Sequence, residues 1–551
     1  MKNIIYKLTF LLFIAGLWSC EKQTLDLEPL NSENSENYYE SDENALKAII
    51  SVYRSNNSDM LLLSFGDLPS DDAVKGGSGV SDGLQFQEIA DFTATSSNPL
   101  IGPKWSQLYE VITRSNEVIG SLEAQATLSD SKKIIIGEAK FLRAFAYSKL
   151  VEIFGKVPLL DHVPLFAEFE TITRSNTEKE VYDFIKKDLD DAIAILPIKG
   201  NIDIGRATKG AAQALKARVA LRETGYFYNS IMQNRAPEYS SSGLNVNDLW
   251  KEVYDQTLAV MNTPGYALLP NYAEVFEIEG ENKSETVYDQ QYVNDLTVTG
   301  WNDLPGNEVP VRLGVRGFGG WGFNQPKDNL FHEFSRNDDV DPRREVTMLS
   351  EEWPVGWGYN IVEDIMAGSQ IDEYAWIKAD PKYDYSIFKT LRKAVPTTKV
   401  MPGGRRQIPT NIRVIRYSDV LLMNAEAAFH LGKEQEARER VNEIRERARN
   451  STFPTGSQIG DVDADGYPTE YRPFTGANLP DVSTTGQALL EDIRHERRVE
   501  LALEGLRYFD IIRTGELSKL NNEEGYIAKK GLWPLPDSEV TIYNLEQNEG
   551  Y

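Results

Sequence analysis

Two stretches combine the residue types needed to hold a sugar ring. GWNDLPGNE places Trp301 beside Asn302 and Asp303, and GFGGWGFNQ places Trp321 near Arg316 and Asn324. A pyranose has apolar C–H faces and a rim of hydroxyls, so an aromatic plane flanked by amides, carboxylates or a guanidinium matches both parts. Five of the nine tryptophans, Trp301, Trp321, Trp353, Trp357 and Trp376, fall within residues 264–410, accompanied by Tyr288, Tyr292 and Tyr359. The expected ligand residues are therefore Trp301, Asn302, Arg316, Trp321 and Asn324. Trp357 with Tyr359, and the loop around Asp71 and Asp72, are further candidates.

DVDADGYPTEY sets Asp461, Asp463 and Asp465 at alternate positions before Gly466, the first half of a calcium loop of EF-hand type. The bidentate Glu of the twelfth position is missing: Arg472 stands there, and Glu470 comes two residues early. Two readings stay open, a structural calcium in a non-EF setting and a solvated acidic turn. No other cofactor is implied. The four histidines, His162, His332, His430 and His495, are scattered, and HExxH, GxSxG and Walker-type loops are absent from the sequence. A glycosidase would need two opposed carboxylates, and the spacing of the 84 acidic residues singles out no such pair.

The single cysteine has its own logic. Lys2 and Lys7 precede an apolar run from Leu8 to Trp18, too short to span a bilayer, which needs about 20 apolar residues. Leu17-Trp18-Ser19-Cys20 resembles a bacterial lipobox, in which Cys20 becomes the first residue and carries lipid. Residues 1–19 are then a leader and 20–36 a polar tether to the membrane. A formal net charge of -26 argues against nucleic-acid binding, which needs a basic face to displace counterions.

Helical hairpins must position these groups. Ser41 or Asp42 can cap a helix over Asn44–Arg54, and Lys104–Leu122 carries apolar residues at helical spacing. The pattern repeats in GEAKFLRAFAYSKLVEIFGKVPLL, Glu178–Leu196, Thr208–Arg222 and Asp248–Met261. It returns in Tyr417–Leu431, Glu434–Ala448 and Thr485–Gly505, where Glu491/Arg494, Arg497/Glu500 and Glu504/Arg507 suggest a solvated or salt-bridged face. Trp105 and Trp250 fall in helices and should be packing residues. Between the helical parts, 37–263 and 411–551, residues 264–410 lack a sustained 3.6 period and read as loops and short strands. The expected fold is mainly α, with tetratricopeptide-like helical hairpins framing an irregular loop-and-short-strand ligand-binding region.

Three of these stretches together, GEAKFLRAFAYSKLVEIFGKVPLL, IRYSDVLLMNAEAAFHLGKEQEARERVNEIRERAR and IRHERRVELALEGLRYFDIIRTGEL, with the ending LWPLPDSEV and QNEGY, resemble the SusD-like (SusD/RagB) family of outer-membrane nutrient-binding lipoproteins of Bacteroidetes. The resemblance implies a non-enzymatic surface lipoprotein that binds oligosaccharide and caps a SusC-like TonB-dependent outer-membrane transporter. It leaves the sugar open. Two alternatives remain: a peptide-binding member of the same family, and a surface glycoside hydrolase.

Overall fold

The computed structural model describes residues 38–56, 64–79, 81–276, 280–292, 307, 309–313, 321–349, 386–387, 410–455, 470–473 and 478–551. The long helices are α1 (Asp42–Ser55), α2 (Ile101–Glu123), α3 (Asp130–Phe154), α4 (Glu178–Ile195), α5 (Lys209–Glu223), α6 (Val246–Met261), α7 (Tyr417–His430), α8 (Glu434–Asn450), α9 (Gly486–Glu500) and α10 (Arg507–Thr514). Side-chain oxygens start several of them. Ser41, Ser129, Thr177, Thr208 and Asn245 each accept a backbone N–H of the first turn, a bond whose loss typically costs ~1 kcal/mol.

From α2 onward each helix packs on its neighbour in sequence up to α9, and α1 lies against α2 and α3. The stack does not stop at the insert: α6 packs directly on α7 although some 155 residues separate them. The helical body is thus continuous in space across a long interruption in sequence. Small residues permit the close contacts. Ala139, Ala144 and Ala146 on α3 and Ala211, Ala214 and Ala217 on α5 are fully buried. Trp105 and Trp250 are 2% and 1% exposed, both packing residues as expected. Burial of each such large apolar side chain contributes roughly 1.5–3 kcal/mol.

Two segments differ from what their sequence patterns suggest. Tyr288, on β2 (Thr286–Gln290), accompanies the insert's tryptophans in sequence but turns inward: it is buried, with ring centroids of Phe141 and Phe145 at 4.9 and 6.1 Å. Helix α9 ends at Glu500 rather than Gly505, because Leu503 and Gly505 take positive φ. Of the solvated and salt-bridged readings of its charges, the second holds for Arg497 and Glu500, which are buried, while Glu491 is exposed. Arg497 bonds Asp510 on α10, while Glu500 accepts from Arg343, Arg416 and Arg447 at 2.9, 3.0 and 2.6 Å. Arg416, the last residue of β4 (Ile412–Arg416, paired antiparallel with β2), also bonds Glu285 and Glu504. A helical face of alternating sign reads as surface until other elements supply its counter-ions.

The C-terminal segment closes the first hairpins. The Trp533 N–H donates to Ile153 O at 3.0 Å, and the Asn548 amide donates to Phe154 O at 3.1 Å and Trp533 O at 2.7 Å. The bonds to Ile153 O and Phe154 O satisfy carbonyls that the last turn of α3 leaves open, and the one to Trp533 O ties the C-terminal segment to itself. Gly155, which breaks that turn at φ +70, has no room for a side chain: a Cβ would lie 2.7 Å from Leu532.

Candidate ligand-binding face

A strand pair far apart in sequence builds the platform. β1 (Ala73–Gly76) runs antiparallel to β3 (Phe323–Pro326), with Ala73 opposite Pro326 and Gly76 opposite Phe323. The Gly77 N–H donates to Gly322 O at 2.7 Å. Gly76 has φ +68, and a Cβ there would meet Gly322 O at 2.1 Å, so only glycine allows this approach. The loop after β1 ties itself down: Lys75 Nζ donates to the carbonyls of Gly76 and Gly79, and the Asp82 carboxylate accepts the Ser78 N–H and hydroxyl.

Trp321 stands just before β3, half-buried. Its ring meets Phe323 edge-on at 6.5 Å, and the Arg312 guanidinium from the short helix Val309–Leu313 lies 5.2 Å from its centroid. Phe323 in turn packs on Phe86 at 5.2 Å. The arrangement sets an aromatic face and a cation side by side near the surface, on a strand with a rigid apolar backing. Such a pair can offer stacking and hydrogen-bond donors together. Arg312 carried no mark in the sequence, because VPVRLGVRG gives no clue that a helical turn will lift it over the ring.

Asn324 does not face a ligand. It is 3% exposed, takes φ +54, and its amide donates to Asp67 Oδ2 at 3.1 Å. Asp67 also accepts the Gly505 N–H at 3.0 Å, and burial pushes its carboxyl up to about 8. Asp71 and Asp72 are likewise held by the fold. Arg507 grips Asp71 through two bonds of 2.7 and 3.0 Å, and Arg498 Nε donates to Asp72 at 2.8 Å. Desolvation raises both carboxyls. Arg507 and Arg498 outweigh it at Asp71, whose pKa is lowered, whereas the more deeply buried Asp72 stays raised. These aspartates fasten the loop before β1 to α9 and α10, so their part is to position β1 rather than to meet a ligand. Lys327 continues the clamp, bonding Ser70 O and Asn521.

Trp301, Asn302, Arg316, Trp357 and Tyr359 lie outside the described residues, as do Cys20 and the calcium candidates Asp461, Asp463 and Asp465. The three aspartates fall between two strands that are described, Thr452–Thr455 and Glu470–Pro473, paired antiparallel with Arg472 opposite Phe453. Among the described residues no cluster of His, Cys, Asp or Glu is placed to hold a metal, and no helix is long and apolar enough to cross a membrane.

Known proteins share this architecture. A SusD-like protein, P2, of Formosa agariphila is 25% identical across 97% of this chain and 94% of its own. A solved laminarin-binding SusD-like protein superposes with a TM-score of 0.69 at 24% identity, covering 92% of this chain and 99% of that one. The surface glycan-binding protein A of Bacteroides thetaiotaomicron, solved in complex with laminarihexaose, gives 0.68 at 21% identity over 93% of this chain and 100% of its own. These structures establish the fold. A family model described as "Starch-binding associating with outer membrane" matches residues 23–221, and the SusD family model matches 265–551. With that second match covering more than half of its length, the chain belongs to the SusD family.

Proposed function

We propose that the protein is a non-enzymatic, lipid-anchored glycan-binding protein of the cell surface, which captures oligosaccharide and passes it to a TonB-dependent outer-membrane transporter. The observation that carries this reading is the partly buried Trp321 with Arg312 over its ring, standing on a β1–β3 base that buried ion pairs fix to the helical body. A preset aromatic face suits a polyhydroxylated ligand, since little side-chain freedom is lost on binding. The laminarin and laminarihexaose bound by two structural relatives support a glucan as the first ligand to try.

Calorimetric titration with laminarihexaose, followed by a glycan array, tests the reading. Saturable binding without release of reducing ends is expected. Binding to a peptide library with no glycan bound would overturn it, and so would turnover of the oligosaccharide. The anchor is tested separately: Cys20→Ala should move the protein into the aqueous phase on detergent partitioning, because stable membrane attachment needs the acyl chains.

A further inference from the structure

On the helical body, away from the β1–β3 strands, the start of α2, the loop after α3 and the C-terminal segment enclose a groove of about 270 Å³. Its walls include the rings of Trp105, Tyr109, Phe169 and Tyr543, and its one ionisable side chain besides the tyrosines is Glu539. Among the described residues no Lys, Arg or His lines it. Arg174, close enough to bear on the Tyr109 hydroxyl, is fully engaged: it donates to the carbonyls of Lys156, Phe154 and Glu546 and to Asn548 Oδ1. Glu539 takes hydrogen bonds from the Ser538 hydroxyl at 3.3 Å and from the Trp105 ring N–H, and is half withdrawn from water, which pushes its carboxyl up in spite of these neutral donors. The groove is therefore an apolar, aromatic-walled trough with an acid in it and no counter-cation.

Beside its lining residues in sequence stand exposed apolar side chains: Leu165 and Phe166, 70% and 92% exposed, follow Pro164, and Ile542, 71% exposed, precedes Tyr543. The loop that lifts Phe166 is not slack. Glu168 accepts the Leu165 N–H at 2.7 Å and contacts His162 Nε2 at 3.1 Å, while the Asn116 amide donates to the carbonyls of Leu160 and His162. Arg143 donates to Asp161 O at 3.2 Å. Large apolar side chains held rigidly in water next to a groove mark an interaction surface. Apart from the engaged Arg174 and from His162, the charges nearby, Asp161, Glu168, Glu170, Glu539 and Glu546, are acidic and disfavour a polyanionic surface.

We propose that this groove docks a segment of another protein in which an arginine or lysine lies beside apolar residues. The cation enters between the rings next to Glu539, and the apolar neighbours cover Leu165, Phe166 and Ile542. A guanidinium is attracted both by the ring faces and by the carboxylate, and its arrival supplies the counter-charge that the neutral donors Ser538 and Trp105 do not. The loop needs no reordering to receive it, so the rigid rim favours association.

The probe is acetyl-Leu-Arg-Phe-amide, titrated into the full chain alongside the same peptide with citrulline, a neutral isostere, in place of arginine. The arginine peptide is expected to bind about tenfold tighter than the citrulline one. That preference should vanish in Glu539→Gln, while Phe166→Ser should weaken both peptides alike, with melting temperatures confirming that each variant folds. Equal affinity for the two peptides, no binding of either at millimolar concentration, or a preference that survives Glu539→Gln would each overturn the proposal. So would self-association of the chain that Phe166→Ser abolishes, which would assign the face to a second copy.

Discussion

Arginine lies over an aromatic ring in two parts of this molecule, at almost equal distance and with different results. In the interior, Arg447 sits 5.1 Å from the Tyr272 centroid and Arg416 5.4 Å from that of Phe276. At the face, Arg312 sits 5.2 Å from Trp321. The interior arginines are ringed by Glu285, Glu500 and Glu504, all but lost to solvent, and they bind β4, α8 and α9 into one body. Trp321 keeps part of its ring in water. The same pair of side chains thus serves cohesion where carboxylates enclose it and display where solvent reaches it. Burial, rather than residue type, divides structure from recognition here.

The sharpest way to break this comparison is Glu500→Ala. Removing one partner from a buried ion cluster leaves Arg343, Arg416 and Arg447 short of a carboxylate and should cost ~3–5 kcal/mol in denaturant unfolding. Laminarihexaose affinity of the folded fraction should not change. A wild-type unfolding midpoint would dismiss the interior lattice as a source of cohesion. The acid limb of the stability curve makes the same point. Desolvation raises Asp419 and Glu333, but Arg497 and Arg218 at the first, and His495 and Arg498 at the second, hold both down to about 2. Such groups stabilise the fold above their unfolded values near 4 and lose that contribution as pH falls from about 4 to about 2.

Trp321→Ala should have the converse outcome. Losing an aromatic anchor commonly costs ~2 kcal/mol or more of binding, a fall of more than about tenfold in affinity. The melting temperature should shift little, since the ring is only half-buried. If instead the variant unfolds easily and binds normally once folded, Trp321 belongs with the interior group.

Asp67 sharpens the boundary between the two regions, because it joins Asn324 of β3 to Gly505 beyond α9. Its folded value near 8 exceeds the unfolded one near 4, so stability declines as pH rises from about 4 and levels off above about 8. Between pH 7 and pH 9 the loss should be about 1 kcal/mol, and Asp67→Asn should remove that slope in pH-dependent melts. An unaltered slope would remove Asp67 from the hinge between strand and helix. Arg312→Ala is the mildest test. A cation over a partly exposed ring contributes ~0.5–1 kcal/mol, so affinity should weaken only about two- to fivefold in calorimetry.

How much could be read from the chain follows the range of the forces involved. The long helices were legible, because Ser41, Ser129, Thr177 and Thr208 act within three residues of themselves and alanine spacing is local. The hidden role of Tyr288 was not, since Phe141 and Phe145 reach it from helix α3. Nor was the duty of Asp71 and Asp72: their partners Arg507 and Arg498 are more than 400 residues on, and a DD pair in a Gly/Ser loop looks equally like a ligand contact. Trp321 stood out as an aromatic in a glycine-rich run. That Arg312 would cover it, and that Asn324 would turn inward on a positive φ, depended on the pairing of β1 with β3 across some 250 residues. Local rules found the frame and long-range pairing set the face.

The C-terminal closure has a consequence for the order of events in the life of the chain. The open carbonyls at the end of α3 belong to the first third of the polypeptide; Arg174 reaches Phe154 O from 20 residues on, but the backbone N–H of Trp533 and the Asn548 amide, which complete the set, come almost 400 residues later. A ribosome therefore emits the early hairpins well before their seal exists. Contacts of such sequence separation are slow to form, so the early hairpins lack these donors until the C-terminal segment has been made. The C-terminal segment thus completes a helix end laid down in the first third of the chain.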